Sequence, residues 1–484
     1  MSLWFNAAWW LFVIGVCSLF ALLALAVISA VAVRFYFDGL RVRQSSKIPG
    51  RLLVGFFHPH STGGGGGERV LWTMLNALMH EWPQADFIVY THWSKEKGTA
   101  THDSVEKLVL GKFGIALPRP VKIVQLQGVT WIEPSSYPRL TLLLQSLGAV
   151  PLAYEALKAQ VPDVFVDSQG LALSYPLASF CCRCKVASYV HYPVVSSDML
   201  AAVRERQAKF NNSGAVARSP LLTRGDAKIL YYRAFAKIYG YAGRHCDVVM
   251  VNSSWTKGHI VEIWGLSPAM VHRVYPPCDV AKLVSLGNVE KELAIVSVAQ
   301  FRPEKDHPLQ LQAFKLVLDR LSLPNLRLHL VGGVRNEEDK ERVRILRQMA
   351  IDLNIAGQVD FHVDMPYADL LSMLGRSAFG LHTMRDEHFG IVVVEYMAAG
   401  CVPVAHNSAG PKMDIVQDGC GFLAESAEEF ADKIIKLLSM PPSDLAEMRQ
   451  RGKQASQRFT EQVFSQGVCE AMASLSDRST APFQ

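Results

Sequence analysis

The chain has 484 residues, of which 50% are hydrophobic and 19% are charged. This length exceeds what one compact core needs, so two domains are expected, and the composition excludes extended disorder. The net charge of +5 is mild, and no basic cluster interleaved with aromatic residues is strong enough to indicate a nucleic-acid partner.

The N-terminal segment differs in kind from the rest of the chain. No charged side chain precedes Arg34, and the stretch from Trp9 to Val33 is almost continuously apolar. That stretch exceeds the roughly 20 residues that cross a hydrocarbon core, although a buried core helix is the alternative. Basic residues follow it, namely Arg34, Arg41, Arg43 and Lys47. The positive-inside bias therefore predicts a single-pass anchor and basic linker over residues 1–45, with the remainder in the cytosol. The nine cysteines, an odd number without a disulfide framework, also favour a reducing compartment.

Short apolar runs alternate with helical patterns after the N-terminal segment. The first series of predicted strands is Leu52–Phe57, Asp86–His92, Val121–Gln127, Val164–Asp167, Val186–His191 and Val248–Asn252. Predicted helices include Glu68–His80 and Pro138–Leu147, the latter with its proline at the first helical position. This alternation indicates a parallel sheet covered on both faces.

A second series of strands with helices between them follows a proline-containing joint. Its members are Ala294–Ala299, Leu326–Val331, Val359–His362, Phe379–Thr383 and Val402–Ala405. We therefore predict one domain over residues 48–285, a second over 286–460, and a tail over 461–484 whose first part is a helix returning to the first domain. Two doubly wound domains place a ligand cleft at the carboxyl ends of their strands.

A glycine-rich motif follows the first predicted strand. Five glycines, Gly63 to Gly67, stand between His58-Pro59 and the start of a helix at Glu68. Glycines let a backbone approach a ligand closely, and a helix N-terminus offers free N–H groups to an anion. The motif is neither a Walker A loop nor a dinucleotide fingerprint, and a flexible loop is the alternative.

Two further motifs follow strands of the second series. Arg302 and Lys305 come directly after its first strand and could neutralise a diphosphate, although solvated surface charges are the alternative. Glu387 and Glu395 are separated by seven residues across a predicted loop-to-helix boundary near Phe389. One carboxylate could accept hydrogen bonds from a sugar and the other from a ribose, with the helix N-terminus facing the phosphates.

Together, these motifs resemble the retaining GT-B glycosyltransferases of the large family 4. The resemblance covers nearly all of the chain after the N-terminal segment, and it implies two Rossmann-like domains with a cleft between them. The His58-Pro59 and glycine-rich segment, with Val190-His191-Tyr192-Pro193, resembles more narrowly the endoplasmic-reticulum GDP-mannose-dependent α-1,2-mannosyltransferases. Those enzymes extend dolichol-diphosphate-linked oligosaccharide in N-glycan assembly. The resemblance also implies an N-terminal membrane anchor with the catalytic part of the chain on the cytosolic face. One small departure is the fifth glycine, where about four are expected.

The resemblance also implies roles for particular residues. Glu387 would hold the transferred mannose, Glu395 the nucleotide ribose, and Arg302 and Lys305 the departing GDP diphosphate. The donor would also be lined by Gly64, Gly65, Gly66, Gly67, Phe389, Gly390 and Ile391. His191 would approach the donor sugar, although a lone histidine beside a strand is more often a packed core residue. No Asp-x-Asp signature is present, so we expect metal-independent transfer without a cofactor.

The implied partners are GDP-mannose, the dolichol-linked acceptor and membrane lipid, and a complex with other mannosyltransferases of the same pathway stays open. The segment from Lys228 to Arg244 interleaves basic and aromatic residues. It could rest on lipid headgroups or form a helix packed inside the first domain. Two other functions compete with mannosyl transfer. One is transfer from UDP-GlcNAc to a glycolipid by the same fold, and the other is a non-catalytic membrane partner of other transferases.

Overall fold

The structure, a computed structural model, describes residues 2–45, 51–93, 101–195, 225–286, 289–417 and 419–476, with part of the side chains of the first helix and the first residues of α5 left outside. In chain order the helices are α1 (Ser2–Ser45), α2 (Gly66–Glu81), α3 (His102–Phe113), α4 (Thr141–Ala159), α5 (Gly225–Gly243), α6 (Ser254–Trp264), α7 (Val280–Leu286), α8 (His307–Arg320), α9 (Glu337–Asp352), α10 (Tyr367–Arg376), α11 (Ile391–Ala398), α12 (Ala427–Leu438), α13 (Pro442–Ser456) and α14 (Glu461–Met472).

The first domain is built on a seven-stranded parallel sheet in the order β3-β2-β1-β4-β5-β6-β7. Its strands are β1 (Leu53–Phe57), β2 (Asp86–Thr91), β3 (Lys122–Gln125), β4 (Val164–Asp167), β5 (Lys185–Val190), β6 (Val248–Val251) and β7 (Val271–Arg273). Phe56 and Phe57 are both fully buried but lie in different cores, one on each face of the sheet. Successive strand side chains point to opposite faces, which is why such strands read as continuous apolar runs.

The second domain has a six-stranded parallel sheet in the order β10-β9-β8-β11-β12-β13. Its strands are β8 (Glu292–Val298), β9 (Arg327–Gly332), β10 (Val359–Val363), β11 (Ser377–His382), β12 (Val402–His406) and β13 (Phe422–Ala424). The predicted α/β class with two parallel, doubly wound sheets is therefore confirmed. The sequence did not reveal β7 or β13, because each has three residues, too few to show a period.

The helix predicted to begin at Pro138 begins instead at Thr141. Residues 134–136 form a short 3-10 turn, and Ser136 and Tyr137 donate side-chain hydrogen bonds back to the carbonyl oxygens of Thr130 and Trp131, at 2.7 and 2.8 Å. These bonds hold the chain in a turn, so the proline at 138 precedes the helix rather than starting it.

Helix α5 contains the interleaved basic and aromatic residues. Tyr232, Phe235 and Tyr239 are 3% exposed or less and lie in the core of the first domain, whereas Leu230 and Tyr241 are exposed. The interpretation as a helix packed inside the domain is therefore correct for these three rings. The free energy gained by burying these aromatic rings in the apolar core exceeds what contacts at a lipid surface would contribute.

Helix α1 is 44 residues long, and its C-terminal turns dock on the first domain. Arg41 donates to an Asp163 carboxylate oxygen at 3.0 Å and to the Cys182 carbonyl oxygen at 2.8 Å. Phe37 is 1% exposed in the same core. Asp163 immediately precedes β4, so the helix docks at the amino ends of the strands, opposite the expected cleft.

No helix in the described part of the chain combines the length and the apolar character that crossing a membrane requires.

Two helices near the domain junction complete the fold. Helix α14 lies on α2, with Phe464 and Val468 buried in a core of the first domain. Helix α7 packs with α10 and α11, and its Val280 and Leu283 are buried among side chains of the second domain. The second domain thus begins before residue 286, because the apolar side chains of α7 are covered by that domain.

Candidate active site

The carboxyl ends of the two sheets meet across a cleft. Tyr192 follows β5 in the first domain, and its ring stacks on that of His388 in the second at a centroid distance of 5.3 Å and an interplanar angle of 21°. Trp255, at the start of α6, approaches the same imidazole at 5.2 Å. The loops that follow the strands therefore face one another, as the general rule for open α/β sheets requires.

The loop that carries Glu387 is held by the chain that follows β12. Asp386 adopts a left-handed conformation with φ of 55°, and its backbone N–H donates to the Ser408 hydroxyl at 2.8 Å. The Glu387 carbonyl oxygen accepts from the Gly410 N–H at 2.9 Å. A non-glycine residue in this region is strained by about 1–2 kcal/mol, so the surrounding bonds must offset that cost. Glu387 is consequently fixed at the cleft by its neighbours.

Glu387 is partnered by two nitrogen groups. Its Oε2 accepts from the Lys305 ammonium at 2.6 Å and lies 3.3 Å from His382 Nε2. Burial alone would raise the pKa of this carboxyl, but the Lys305 charge and the His382 hydrogen bond outweigh burial and hold the pKa well below its ordinary value. Glu387 is therefore ionised at neutral pH and presents a carboxylate to the cleft.

The loop that follows β8 carries both Arg302 and Lys305. The Thr383 hydroxyl, at the end of β11, donates to the Lys305 carbonyl oxygen at 2.9 Å and joins the two loops. Arg302 lies 3.6 Å from Glu304, and its buried Nε has no hydrogen-bond partner in the described part of the chain. The two predicted phosphate ligands thus differ, since Lys305 is engaged by Glu387 and Arg302 keeps an unused donor.

Helix α11 begins just after this loop, at Ile391. Gly390 precedes it with φ of +98°, and a Cβ there would lie 3.1 Å from Pro411, so glycine is required. Phe389 is 4% exposed and its ring lies 5.7 Å from that of Tyr275. The Phe389 ring therefore packs against neighbouring side chains, and it is the backbone of this residue that leads into α11.

Glu395 is the fifth residue of α11 and lies about one turn into the helix, which begins at Ile391 rather than near Phe389 as predicted. The difference arises because the positive φ of Gly390 delays the helix. Burial raises the pKa of Glu395 to about 7, and the nearby Arg69 of α2 partly opposes that effect. This carboxyl therefore changes charge near neutral pH, and it faces a cation of the first domain.

The glycine-rich loop leads directly into α2, which begins at Gly66 instead of Glu68. The Glu68 carboxylate accepts from the Gly65 N–H at 3.1 Å, so it caps the helix rather than contacting a ligand. A Cβ on Gly66 would meet nothing within 4 Å, and one on Gly67 would lie 3.8 Å from His191 Nε2. Gly64 has Lys112 Nζ at 4.0 Å from the corresponding position. Of the four predicted glycines, Gly67 is the one that the structure brings beside another predicted site residue.

His191 follows β5 at the cleft, and its Nε2 lies 3.1 Å from the Ser168 carbonyl oxygen. Burial lowers its pKa to about 4, although the hydrogen bond with Ser168 works the other way. The imidazole is therefore neutral at physiological pH, and with Nε2 donating, its Nδ1 remains an acceptor.

His58 is a functional candidate to which the sequence analysis assigned no role. It is 1% exposed, its Nδ1 lies 2.8 Å from the Ser168 hydroxyl, and its Nε2 has no hydrogen-bond partner among the described residues. Burial, reinforced by His191, lowers its pKa to about 3. Ser168 thus links the two histidines. The position of His58 directly after a strand was the one feature of the sequence that could have indicated a role. His58, Ser168 and His191 follow β1, β4 and β5, and these three strands are neighbours in the sheet.

The charge state of Glu395 leads to a pH prediction. An ionised carboxylate can accept hydrogen bonds from both hydroxyls of a ribose, so we expect GDP affinity to fall as the pH drops through about 7. Glu395→Gln should flatten the difference between pH 6 and pH 8. His58 and His191 are neutral throughout this range, and titration of the GDP phosphate itself is common to both proteins. Isothermal titration calorimetry with GDP at several pH values measures the affinity of the wild type and of Glu395→Gln. The same dependence of affinity on pH in both proteins would contradict the prediction.

Comparisons with solved structures define the class of protein. Anabaena Alr3699/HepE in complex with UDP aligns with a TM-score of 0.60 at 18% identity, over 87% of this chain and 100% of that one. Sucrose-phosphate synthase from Thermosynechococcus elongatus aligns with a TM-score of 0.61 at 16% identity, over 88% and 99% of the two chains. These likenesses concern the fold alone, and they identify it as the GT-B fold, with two Rossmann-like domains that face each other across a cleft.

Sequence comparison defines the family. Residues 51–264 match the family described as "ALG11 mannosyltransferase N-terminus", and residues 282–458 match "Glycosyl transferases group 1". The chain is 44% identical over 425 residues to the human GDP-Man:Man(3)GlcNAc(2)-PP-Dol alpha-1,2-mannosyltransferase, covering 86% of this chain and 85% of that protein. The enzyme of the same name from Caenorhabditis elegans is 39% identical over 425 residues, covering 85% and 88%. The chain belongs to this family of mannosyltransferases and is an enzyme.

Proposed function

We propose that the protein transfers mannose from GDP-mannose, in α-1,2 linkage, to the Man3GlcNAc2 oligosaccharide carried on dolichol diphosphate. The observation that carries this proposal is the Glu387 carboxylate, held at the cleft between Lys305 and His382, in a chain 44% identical to an enzyme of that name. A fixed carboxylate beside a cationic group suits a donor that combines sugar hydroxyls with a diphosphate.

We propose roles for the residues of the cleft, and their placement supports these roles. Glu387 accepts hydrogen bonds from the mannose hydroxyls, and Arg302 and Lys305 neutralise the diphosphate, with the N-terminus of α11 behind them. Glu395 accepts from the ribose hydroxyls, and the backbone of Gly64 to Gly67 closes the other side near His191. Arg302 supports this arrangement most directly, because its buried Nε is still unpartnered among the described residues. Cationic groups and a helix N-terminus then stabilise the leaving GDP without a divalent ion.

The stereochemical course that we propose is retention by front-face attack. An acceptor hydroxyl forms a bond to the anomeric carbon on the face from which the diphosphate departs. The bond from that carbon to the phosphate oxygen breaks, and the hydroxyl proton passes to the leaving diphosphate. Glu387 is already bound to Lys305 and His382, which suits it to holding the sugar rather than to acting as the attacking group.

Donor choice tests the proposal. Purified protein is incubated with a short polyprenol-diphosphate Man3GlcNAc2 acceptor and either GDP-mannose or UDP-GlcNAc, with and without EDTA. We expect transfer from GDP-mannose that persists in EDTA and a product that an α-1,2-specific mannosidase removes. Transfer from UDP-GlcNAc alone would overturn the donor, and a folded protein without turnover from either donor would favour a non-catalytic partner. Activity that EDTA abolishes and Mn²⁺ restores would overturn the metal-independent course.

We also propose a location on the cytosolic face of the endoplasmic reticulum, with residues 1–45 as a single-pass anchor. Support comes from the uncharged apolar stretch before Arg34, the basic residues after it, and the substrate named for the relatives. In microsomes, protease added outside should digest the catalytic domains, and a glycosylation tag at the N-terminus should become modified. Extraction of the intact protein by alkaline carbonate would contradict an integral anchor.

A further inference from the structure

A cluster of metal-ligating side chains lies on the outer strands of the second sheet, apart from the residues assigned to the cleft. His329 is on β9, and Asp360 and His362 are on the neighbouring edge strand β10. Residues 360 and 362 alternate with Phe361, so they point to the same face of the strand, and His329 is the register partner of Asp360. The three side chains are partly buried, which leaves a route for an ion from solvent.

The atoms of this cluster have the separations of metal ligands. His329 Nδ1 lies 3.2 Å from His362 Nε2 and 3.2 Å from Asp360 Oδ2. In a tetrahedral zinc site with Zn–N distances of about 2.0–2.1 Å, neighbouring ligand atoms are about 3.3–3.4 Å apart. Within the described residues, this is the one group of three or more such side chains whose ligand atoms all lie within 4.8 Å of one another.

We propose that His329, Asp360 and His362 form a site for a transition-metal ion of the Zn²⁺ type. Two imidazoles and one carboxylate are a borderline ligand set that Zn²⁺, Co²⁺ and Ni²⁺ accept and that Ca²⁺ and Mg²⁺ do not prefer. The fourth position is left to water. The ion pins the edge strand β10 to β9, so its effect is on the stability of the second domain. The site takes no part in sugar transfer and does not depend on the proposed function.

Arg327 also contacts this carboxylate and must be compatible with the ion. Its Nε and Nη2 donate to Asp360 Oδ2 and Oδ1 at 2.7 and 2.6 Å. Each carboxylate oxygen has two lone pairs, so Oδ2 can accept from the guanidinium and still bind a metal. Arg327 then orients the ligand from outside, as hydrogen-bonded partners of metal-bound carboxylates commonly do. The competing description is a salt-bridge network that needs no metal, and it makes the opposite prediction for zinc.

Zinc binding distinguishes these descriptions. The metal-stripped full-length protein is dialysed against ZnCl₂ with its thiols blocked, and bound zinc and thermal unfolding are measured. We expect one Zn²⁺ per chain and a rise in Tm, both lost in His329→Gln/His362→Gln. His272→Gln is the matched control, because His272 is an exposed histidine on β7, the edge strand of the other sheet. Zinc that binds the double variant as well as the wild type, or that leaves Tm unchanged, would overturn the proposal.

Two further measurements separate zinc bound by these histidines from zinc bound by a cysteine and from a metal-free ion pair. Co²⁺ bound at this site should give visible bands without the sulfur charge-transfer band that cysteine ligation produces, and that band would assign the ion to a cysteine instead. Arg327→Gln should weaken zinc binding by about 10–100-fold, as the loss of a hydrogen-bonded partner of a metal ligand usually does, and an unchanged zinc affinity would contradict binding through Asp360. The double variant should transfer mannose at the wild-type rate at low temperature. If the transfer assay fails for every protein while zinc binds as expected, the proposed function fails and this inference stands.

Discussion

Glu387→Gln is expected to lower mannosyl transfer by about 10²–10³-fold, while GDP binding is kept. The amide retains the shape of the side chain but cannot act as the charged acceptor that the carboxylate supplies between Lys305 and His382. In the wild-type structure, the Lys305 ammonium is engaged by Glu387, and the substitution weakens that hold. GDP affinity should therefore stay equal or rise, since Lys305 becomes more available to the diphosphate. Initial rates of transfer and calorimetric titration of GDP measure the two quantities on the same preparation.

The control for this experiment is Glu447→Gln, which alters a solvent-exposed pair with Arg451 on α13. Exposed pairs of this kind are worth about 0–1 kcal/mol, so transfer and Tm should match the wild type. If Glu387→Gln loses transfer and GDP binding together with a large drop in Tm, the carboxylate supports the fold and its contact with the sugar is refuted. Full activity in the variant would remove Glu387 from the site altogether.

Asp414→Ala is expected to destabilise the protein by about 1–3 kcal/mol for each buried donor that it leaves unsatisfied, and to reduce transfer as well. Asp414 is 1% exposed and belongs to the second domain, yet its oxygens accept from three residues of the first. The Ser254 N–H and hydroxyl donate at 2.8 and 2.6 Å, the Tyr275 hydroxyl donates at 2.9 Å, and the Arg273 guanidinium lies 3.4 Å away. Alanine removes the acceptor of the Ser254 N–H and of the Tyr275 hydroxyl at the domain junction, while Arg273 keeps the Ser254 hydroxyl as a partner at 2.6 Å.

The rate of transfer should fall in this variant because residues 411–415 also pack against the loop that carries Glu387. Pro411 lies beside Gly390 at the end of that loop. Chemical denaturation gives the stability, and steady-state rates at a temperature where the variant is folded give the activity. Asp432→Ala is the matched control, since Asp432 pairs with Arg320 within the second domain and its side chain is 63% exposed. Comparable losses in both variants, or none in Asp414→Ala, would contradict a specific role for the junction.

Patterns along the chain predict the fold because the strands are buried on both faces. Eleven predicted strands correspond to observed ones, with ends that differ by one or two residues in most cases. Local patterns fail where long-range contacts decide the outcome. Pro138 satisfies the rule for a first helical residue, but the side-chain bonds of Ser136 and Tyr137 to an earlier turn override it. The sequence pattern of α5 fits a helix at a lipid surface and a helix packed in the core equally well. Only the elements that pack against α5 decide between them.

The candidate site divides in a similar way. Spacing alone brought Glu387, Glu395, Arg302 and Lys305 to attention, and the structure places Lys305 against Glu387. The partners that set the charge states were not readable, because His382 ends a strand and His58 follows another, at positions that apolar patterns treat as strand ends. A hydrogen bond such as that between His58 and Ser168 joins residues 110 apart and leaves no local trace in the sequence.

The docking of α1 has a consequence for the reach of the enzyme. Arg41 fixes the helix at the amino ends of the strands, whereas the reacting groups lie beyond the carboxyl ends. A strand of five residues spans about 16–17 Å, so the residues of the cleft lie at least that far from the end of the sheet on which α1 docks. If the protein acts as proposed, its acceptor must therefore reach the side of the sheet that lies opposite the docked end of α1.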